Sequence, residues 1–365
     1  MVTKIDIVVP TLRLDLKRIV KIINLPVPSG MTVNYFIIVD RDIKESKEFI
    51  MRLADAKGVT IITNGRTLGG HESRNKGFEQ GSAEYVLFLD DDVIPDSRLL
   101  KSYKRAIDEN SAAIGFVGIT KFPHPVNSST NGVVASDILT FWDIAKTRPR
   151  VAWGVTANLL VKRDAVSHTR FLTFFPKGGG GEDVDFCLRI VERSVKWFVS
   201  VPDAFVVHPW WGSGSRQFRR FARWAFGDSR LPSLHPKFRF RNAPNLVESL
   251  ILGSILLGGL SLIGFLPANV LPTWIVSVIV LEFLSEAVRL QHRQITFVTS
   301  IEATLVRLSS DLGRLLGNLS RGHITGFTER FDFFVTQESI KYERKVAVMK
   351  FLLFLVPAAL LSILF

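Results

Sequence analysis

Three consecutive carboxylates, Asp90, Asp91 and Asp92, directly follow the apolar run Tyr85–Leu89. Like charges at this spacing repel one another, so such a cluster is tolerated mainly where it gathers a cation. Carboxylate oxygens suit Mg²⁺ or Mn²⁺, and such an ion usually completes its coordination shell with substrate phosphates. The pattern predicts a divalent-metal site, and a solvated acidic turn that caps a helix is the alternative.

Polar side chains also follow another apolar run. Asp40 comes directly after Tyr35–Val39, where a carboxylate can accept hydrogen bonds from a base or ribose, or can cap a loop. Arg66 and Arg74 flank the pair Gly69-Gly70, which allows a tight turn before a helix. The start of that helix and the two guanidinium groups can bind a diphosphate, and ordinary helix-surface arginines are the alternative.

A second pair of carboxylates, Glu182 and Asp183, follows four glycines at positions 178–181. This pattern indicates a loop that delivers carboxylates to a helix start, where acidic residues also stabilise the helix. A displacement that inverts a carbon centre needs a base opposite the leaving group, and such a carboxylate can supply it. His208 ends a further apolar run and is either a metal ligand or a structural histidine.

The elements that position these residues form an alternating pattern. Short apolar, β-branched runs alternate with segments of helical periodicity, which predicts an α/β fold with a mostly parallel sheet covered on both faces. Ligands of such sheets bind at the carboxyl ends of the strands. Five of the predicted strands are Ile5–Val9, Tyr35–Val39, Val59–Thr63, Tyr85–Leu89 and Ile114–Ile119. The sequence has neither a P-loop motif nor a dinucleotide-binding G-x-G-x-x-G after the first strand, which argues against both of those chemistries.

Taken in order, these motifs resemble the family 2 glycosyltransferases with the Rossmann-like GT-A fold. The resemblance covers about residues 5–210 and is carried by Val8-Val9-Pro10-Thr11, Asp40, the segment from Arg66 to Asn75, and Glu84 to Asp92. It implies a nucleoside-diphosphate sugar donor and inversion at the anomeric carbon. It also implies a donor site made by Pro10, Thr11, Asp40, Arg66, Arg74, Asp90 and Asp91.

The same resemblance implies roles for the carboxylates. Asp90 and Asp92 would form the DxD pair that holds Mg²⁺ or Mn²⁺, with His208 as a further metal ligand. Asp183 would be the general base for the acceptor hydroxyl, with Glu182 as the second choice.

Aromatic and basic residues suggest an acceptor site. The resemblance places Trp153 beside the donor sugar, and Trp210 and Trp211 precede a motif made by Arg220, Arg223 and Trp224. This R-x-x-R-W motif is similar to the Q-x-x-R-W element of membrane-integrated, cellulose-synthase-like members, in which Trp stacks on the glycan. Arginine in place of Gln argues against processive synthesis and favours a phosphate of a lipid-linked acceptor, and a helix that binds anionic lipid is the alternative.

The composition points to a membrane. The 365 residues include 46 Lys and Arg against 34 Asp and Glu, a net charge of +12, yet 47% are hydrophobic. This combination argues against disorder and favours a protein on or in an anionic bilayer. The positive charge is concentrated beside apolar segments, which argues against a nucleic-acid partner. The single cysteine, Cys187, excludes an intramolecular disulfide.

These features predict three parts. Residues 1–212 form the catalytic domain, residues 213–245 a basic interface segment, and residues 246–365 a membrane domain. Spans are predicted at about 246–266, 271–288 and 346–365, and an amphipathic interface helix, or a fourth span, at about 295–320. The positive-inside rule then places the catalytic domain in the cytoplasm of a multi-pass membrane protein.

The sequence therefore predicts a metal-dependent, inverting hexosyltransferase at the cytoplasmic membrane face. The pattern is similar to archaeal mannosyltransferases of lipid-linked oligosaccharide and N-glycan assembly, which favours GDP-mannose over UDP-linked donors. The expected acceptor is a polyprenyl-phosphate-linked glycan or a glycolipid. A processive polysaccharide synthase and a non-catalytic membrane scaffold are the alternatives.

Overall fold

The structure is a computed structural model that describes residues 2–53 and 55–364. The chain forms two compact units. The first comprises the residues up to His124 together with Leu139–Ser213, and the second comprises Pro125–Ile138 and the residues from Gly214 onward. The segment Pro125–Ile138 thus lies in the second unit, although the sequence analysis placed it in the catalytic domain.

The first unit is built on a nine-stranded sheet. Its strands are β1 (Thr3–Thr11), β2 (Met31–Val39), β3 (Val59–Thr63), β4 (Tyr85–Leu89), β5 (Ile94–Pro95), β6 (Gly115–Lys121), β7 (Arg150–Val151), β8 (Asn158–Lys162) and β9 (Phe198–Val207). Their spatial order is β3-β2-β1-β4-β8-β6-β9-β5, and β7 pairs with β9.

The helices alternate with these strands and then continue alone. They are α1 (Leu16–Ile23), α2 (Ile43–Leu53), α3 (Gly70–Gln80), α4 (Leu99–Glu109), α5 (Ser128–Ala135), α6 (Arg163–Val166), α7 (Glu182–Ser194), α8 (Phe218–Asp228), α9 (Leu231–Leu234), α10 (Leu246–Leu262), α11 (Val270–Leu290), α12 (Phe297–Leu319) and α13 (Gln337–Leu364). Helix α5 and helices α8 to α13 belong to the second unit.

The predicted α/β fold with a mostly parallel sheet is confirmed. Strands β3, β2, β1 and β4 pair in parallel, and β6 pairs in parallel with β9. Strand β4 is buried along its whole length, as expected for a strand covered on both faces. Strand β8 runs antiparallel between β4 and β6, and the sequence analysis missed it.

Parallel pairing brings the strand ends of the first unit to one edge. Thr11 at the end of β1 is paired with Val39, and Asp40 follows Val39 directly. The neighbouring strand β4 ends at Leu89, so Asp90 lies at the same edge. The sheet topology therefore gathers the predicted donor-site residues, as the general rule for such sheets requires.

The described part of the second unit is helical apart from a small two-stranded sheet. Strands β10 (Arg239–Arg241) and β11 (Glu329–Phe331) pair in antiparallel fashion. Helix α11 is fixed to its neighbours by Trp274, whose indole N–H donates to the carbonyl of Phe354 at 3.1 Å. A Cβ at Gly253 would lie 2.0 Å from the Trp274 ring, so only glycine allows α10 to approach α11 this closely.

The predicted spans fall on helices α10, α11 and α13, and the predicted interface helix falls on α12. In the described part of the chain, one helical stretch, Val270–Arg293, is long and apolar enough to cross a bilayer, and α10 is apolar but shorter. Phe365, the last residue of the third predicted span, lies outside the described residues, as does Met1 of the predicted catalytic domain. Membrane insertion remains a prediction.

Candidate active site

The aspartate cluster lies at the carboxyl end of β4. The side chains of Asp91 and Asp92 are each 6% exposed, and that of Asp90 is 26% exposed. Burial follows from the strand, because the five apolar residues of β4 direct the chain through the middle of the sheet. The three neighbouring carboxylates therefore have different surroundings.

Strand β5 determines which residue meets Asp92. This two-residue strand follows the cluster and pairs with the end of β9, with Ile94 opposite Val207. The pairing brings Asp92 beside His208, and Oδ1 of Asp92 lies 3.3 Å from Nε2 of His208. Both side chains are almost fully buried. The sequence analysis predicted both as metal ligands, and the structure places them together.

The imidazole of His208 is oriented by the main chain. Its Nδ1 lies 2.6 Å from the carbonyl oxygen of Pro209. Because a carbonyl oxygen only accepts, Nδ1 carries the proton, and in the neutral ring Nε2 is left with a lone pair. Metal-ligating histidines are held in this way by a hydrogen bond from their second nitrogen.

The other oxygen of Asp92 and both oxygens of Asp91 are held by side chains from the end of β1. Thr11 donates its hydroxyl to Oδ2 of Asp91 at 2.7 Å. Arg13 contacts Oδ1 of Asp91 and lies 2.9 Å from Oδ2 of Asp92. These contacts leave Oδ1 of Asp92 buried without a hydrogen-bond partner among the residues that the structure describes.

These surroundings shift the pKa values of the two buried carboxyl groups, Asp91 and Asp92, in opposite directions. Burial raises the pKa of Asp91 above its ordinary value, although Arg13 and Thr11 oppose the shift. Burial also acts to raise the pKa of Asp92, but His208, Arg13 and Arg18 outweigh it and the pKa is lowered. Asp92 is therefore the more readily ionised member of the pair.

The geometry at Asp92 fits a divalent cation. A carboxylate oxygen and an imidazole nitrogen that face each other at 3.3 Å attract when a positive charge is present, either a proton on Nε2 or a metal ion. Carboxylate is a suitable ligand for Mn²⁺, and imidazole suits this ion less well. Within residues 2–53 and 55–364, no three His, Cys, Asp or Glu side chains form a metal-holding group. Asp92 and His208 are two such side chains, and substrate phosphates usually complete the shell of an ion that few protein ligands hold.

Asp90, the third predicted ligand, has a different partner. Its Oδ1 accepts a hydrogen bond from Nη2 of Arg74 at 2.8 Å. Arg74 was predicted as a donor-site residue, and the structure places it between Asp90 and the carboxylate of Glu182, 3.9 Å from the latter. The structure therefore pairs Asp92 with His208 and pairs Asp90 with Arg74.

The carboxylate of Asp40 organises the loop before α3. Oδ1 accepts from the side chain of Asn64 and from the amide of Leu68, both at 2.8 Å, and Oδ2 accepts from the amide of Gly69 at 2.9 Å. Gly69 has φ +109° and its missing Cβ would lie 2.9 Å from the Lys177 backbone, so glycine is required there. Arg66 in the same loop is exposed. The predicted contact of Asp40 with a nucleoside remains a prediction.

The glycine segment leads directly into α7. Gly179, Gly180 and Gly181 all have positive φ, which glycine adopts without steric cost. The amide of Gly180 donates to Oε2 of Glu182 at 2.7 Å, so the Glu182 carboxylate is committed to its own loop. The Asp183 carboxylate accepts from the next amide, that of Val184, at 2.9 Å. Among the described residues, the Asp183 carboxylate thus has fewer hydrogen bonds and ion pairs than that of Glu182.

The surroundings of Asp183 suit a general base. Burial and the adjacent charge of Glu182 raise its pKa to about 7, against the opposing effect of Arg74. A base is most effective when its pKa lies near the working pH, because it is then both largely ionised and basic enough to take a proton. This favours Asp183 over Glu182 in that role.

Aromatic side chains surround His208. The Phe122 ring lies 4.9–5.2 Å from the rings of Trp142, His208, Trp210 and Trp211. Trp210 and Trp211 are only 8% and 7% exposed, so these two predicted acceptor residues mainly pack within the cluster. Trp153 is also buried and stacks on Phe141 at 4.6 Å. The half-buried rings of Phe122 and Trp142 form the accessible part of this cluster.

The remaining predicted acceptor residues lie in the second unit. Arg220, Arg223 and Trp224 are on α8, and the guanidinium of Arg220 lies 5.9 Å from the centre of the Trp224 ring. Arg223 is exposed. The helix therefore presents the basic and aromatic side chains that the sequence motif predicted.

The sequence analysis missed several residues of the site. Arg13, Arg18, Phe122 and Trp142 were not singled out, although all four contact Asp92 or His208 directly or through the aromatic cluster. A signal was present for two of them, because Arg13 follows the end of β1 and Phe122 follows the end of β6. Trp142 ends the short 3₁₀ helix Thr140–Trp142, which follows no strand end and so gives no such signal.

Comparison with known proteins agrees with this geometry. Residues 7–154 match the family described as Glycosyl transferase family 2, a segment that includes the aspartate cluster. No curated protein matches the chain. The match over residues 7–154 supports a glycosyltransferase, and the mostly parallel sheet of the first unit is consistent with the GT-A fold.

Several solved structures are similar at low identity. The mannosyltransferase PcManGT from Pyrobaculum calidifontis, in complex with GDP-Man and Mn²⁺, is 12% identical with a TM-score of 0.47, covering 98% of this chain and 86% of that chain. TarS 1–349 from S. aureus is 12% identical with a TM-score of 0.46, covering 84% and 91%. A further S. aureus TarS structure is 15% identical with a TM-score of 0.42, and the match spans 61% of this chain but only 39% of that one. None of these similarities identifies the substrate of this chain.

Proposed function

We propose that this glycosyltransferase moves a hexose, with inversion, from a nucleoside-diphosphate sugar to a lipid-linked glycan or glycolipid at the cytoplasmic face of a membrane. The observation that carries the proposal is the contact between Asp92 and His208 at the carboxyl end of the sheet. It provides two ligands for a divalent ion at the edge where α/β sheets bind nucleotides.

In the proposed reaction, Asp183 removes the proton from the acceptor hydroxyl. The hydroxyl oxygen attacks the anomeric carbon as the bond from that carbon to the diphosphate breaks, and the nucleoside diphosphate leaves with the electron pair. Asp183 suits this task because its pKa is raised to about 7. A single displacement of this kind inverts the anomeric centre.

Asp92 and His208 would hold Mg²⁺ or Mn²⁺, with Arg13 and the Pro209 carbonyl fixing their orientation. When bound, the ion neutralises the negative charge that develops on the leaving diphosphate. Thr11 acts through Asp91, which it holds in place.

The surface of the second unit supports a membrane location. Helices α10, α11 and α13 expose large apolar side chains that water would solvate poorly, and we propose that lipid covers them. Examples on these helices and on the α10–α11 turn are Ile255, Leu256, Leu262, Ile263, Phe265, Val276, Val288, Met349 and Leu352. Lys350 on α13 is paired with two glutamates of α11, since its Nζ lies 2.7 Å from Glu282 and also contacts Glu286. Paired charges are what an apolar solvent requires.

The acceptor and donor are proposed on different grounds. Arg220 and Arg223 on α8 can bind a phosphate, which favours a polyprenyl-phosphate-linked acceptor. GDP-mannose is the donor we favour because the sequence motifs resemble those of mannosyltransferases that build lipid-linked glycans.

The test is a transfer assay. The full chain in detergent or proteoliposomes is incubated with Mn²⁺, a total lipid extract and a panel of GDP- and UDP-sugars, and products are detected by mass spectrometry, with the D183N variant as control. We expect one hexose added to a lipid, with GDP-mannose the best donor. A long polymer would indicate a processive synthase. No binding of any nucleotide sugar and no transfer would indicate a non-catalytic scaffold and overturn the proposal.

A further inference from the structure

Arg74 on α3 lies between the two carboxylate groups of the site. Its Nη2 donates to Oδ1 of Asp90 at 2.8 Å, and its Nη1 lies 3.9 Å from Oε1 of Glu182. The side chains of Arg74 and Glu182 are only 8% and 9% exposed. One buried guanidinium thus links the aspartate cluster after β4 to the carboxylate pair that begins α7.

The guanidinium has few other contacts. Its Nε and Nη1 have no hydrogen-bond partner within the described ranges 2–53 and 55–364, and its Cζ lies 5.9 Å from the centre of the Phe171 ring. A buried charge of this kind is stable only where opposite charges compensate it. Asp90 and Glu182 are those charges, so they fix where the guanidinium lies.

The segments on either side of Arg74 are held together independently of it. Asn75 donates its side-chain amide to the Phe171 carbonyl and accepts from the Phe171 amide, both at 2.8 Å. Lys177 donates to the carbonyl of Thr67 at 2.9 Å. Helix α3 and its preceding loop are therefore joined to the chain that leads into the glycine segment, and loss of Arg74 alone leaves these connections intact.

Glu182 connects Arg74 to the segment that carries the proposed base, Asp183. Its Oε2 accepts from the amide of Gly180 at 2.7 Å while its Oε1 faces Arg74, so the carboxylate spans the guanidinium and the glycine segment. Asp183 is the next residue, and its backbone is set by the same turn. The charged and titratable groups that act on this pair include Arg74 and His71 from α3 and the thiol of Cys187 on α7.

We propose that Arg74 is a positioning residue: it ties the Glu182 carboxylate to Asp90 and so holds Asp183 in its place relative to the donor site. This inference deepens the proposed function and rests on it for the role of Asp183. Its consequence is that Arg74 affects the chemical step more than the affinity for nucleotide, in contrast to a residue that grips the diphosphate.

The test compares R74M and R74K with the unaltered enzyme. For R74M we expect kcat to fall about 10- to 100-fold, as for loss of an orienting contact, with the Kd for GDP or UDP in the presence of Mn²⁺ within about 3-fold. Removal of a nearby cation also raises the pKa of Asp183, so the acid limb of the kcat/KM profile should move to higher pH. R74K should return the acid limb of the pH profile to its position in the unaltered enzyme and should restore part of kcat. The control R170M removes an ion pair with Glu79 of the same helix and should leave the limb in place.

A second measurement does not depend on transfer. In R74M without ligand, the amides of residues 178–184 should exchange hydrogen several-fold faster than in the unaltered protein, because Glu182 loses its anchor. Unchanged exchange, or a nucleotide Kd raised tenfold at constant kcat, would overturn the positioning role. If the unaltered enzyme transfers no sugar, the proposed function fails, while the exchange experiment still decides whether Arg74 holds this segment.

Discussion

Oδ1 of Asp92 lies 3.3 Å from Nε2 of His208, although the two residues follow different strands of the sheet. The contact depends on β5, whose two residues pair with the end of β9 and so fix the register of the chain after the aspartate cluster. The second oxygen of Asp92 is held by Arg13, and the second nitrogen of His208 by the Pro209 carbonyl. The two atoms that we propose as metal ligands are thus each held in place by a separate contact.

This arrangement predicts separate effects of the two ligands on metal dependence. H208A and D92N should each raise the Mn²⁺ concentration for half-maximal activity by about 10- to 100-fold, with D92N the more severe because a charged ligand is lost. The measurement is initial rate against Mn²⁺ concentration at saturating donor. The control H168A alters an exposed histidine and should behave like the unaltered enzyme. An unchanged Mn²⁺ requirement in both ligand variants would contradict the assignment.

The D183N variant tests the general base. Asparagine keeps the shape and the oxygen that accepts from Val184, but it cannot take a proton. We expect kcat to fall by about 10³-fold or more, with nucleotide affinity within about 3-fold, measured by titration calorimetry with GDP or UDP and Mn²⁺. The control D164N changes an exposed aspartate on α6. Loss of nucleotide binding in D183N would assign the residue to the donor site instead.

The raised pKa of Asp183 predicts the pH dependence of the reaction. Because the base must be ionised and its pKa is about 7 in the protein without substrate, log(kcat/KM) should rise with a slope near 1 up to that pH and then level off. In E182Q a neighbouring negative charge is removed, so the limb should move to lower pH. A limb that stays near pH 4 in the unaltered enzyme would contradict an elevated pKa.

The same shift predicts an effect on stability. The carboxyl pKa is about 7 in the folded protein and about 4 in the unfolded chain, so ionisation costs stability progressively as pH rises from 4 to 7. D183N should therefore be more stable than the unaltered protein by roughly 2–4 kcal/mol at pH 8 and by little at pH 4. Denaturant unfolding of the detergent-solubilised protein at both pH values measures this. Equal differences at the two pH values would contradict it.

The strands that carry the site were predictable from the sequence. Runs such as Tyr85–Leu89 are continuously apolar because both faces of the sheet are covered, and the carboxyl-end rule then directs attention to Asp40 and Asp90. The prediction of β4 agrees with the structure at both ends. Local sequence is sufficient here because the pattern is set by burial within each strand.

The side chains that each of the three aspartates contacts were not predictable in the same way. Asp90, Asp91 and Asp92 are chemically identical, and only long-range contacts make them differ. The two-residue strand β5 is too short to leave a periodic signal, yet its register brings His208 to Asp92. Asp90 is paired with Arg74 instead. That contact depends on the rotation of α3 about its axis, which the sequence motif does not reveal.

The charged cluster of the second unit gives a further prediction. K350M leaves Glu282 and Glu286 without the lysine that contacts both, so two buried carboxylates lose a cation. We expect a loss of about 3 kcal/mol or more in stability, seen as a lower midpoint of thermal unfolding in detergent. The control K345M alters an exposed lysine on the same helix. Addition of E282Q to K350M should recover part of the loss, and an unaltered midpoint in K350M would show that the cluster is not stabilising.

The position of the divalent ion tests the central claim most directly. Crystals of the full chain with Mn²⁺ and GDP or UDP, measured at the manganese absorption edge, locate the ion by its anomalous scattering. We predict one strong peak at about 2.0–2.4 Å from both Oδ1 of Asp92 and Nε2 of His208, in contact with the diphosphate. A nucleotide bound at this edge of the sheet with no peak between those two atoms would contradict the account.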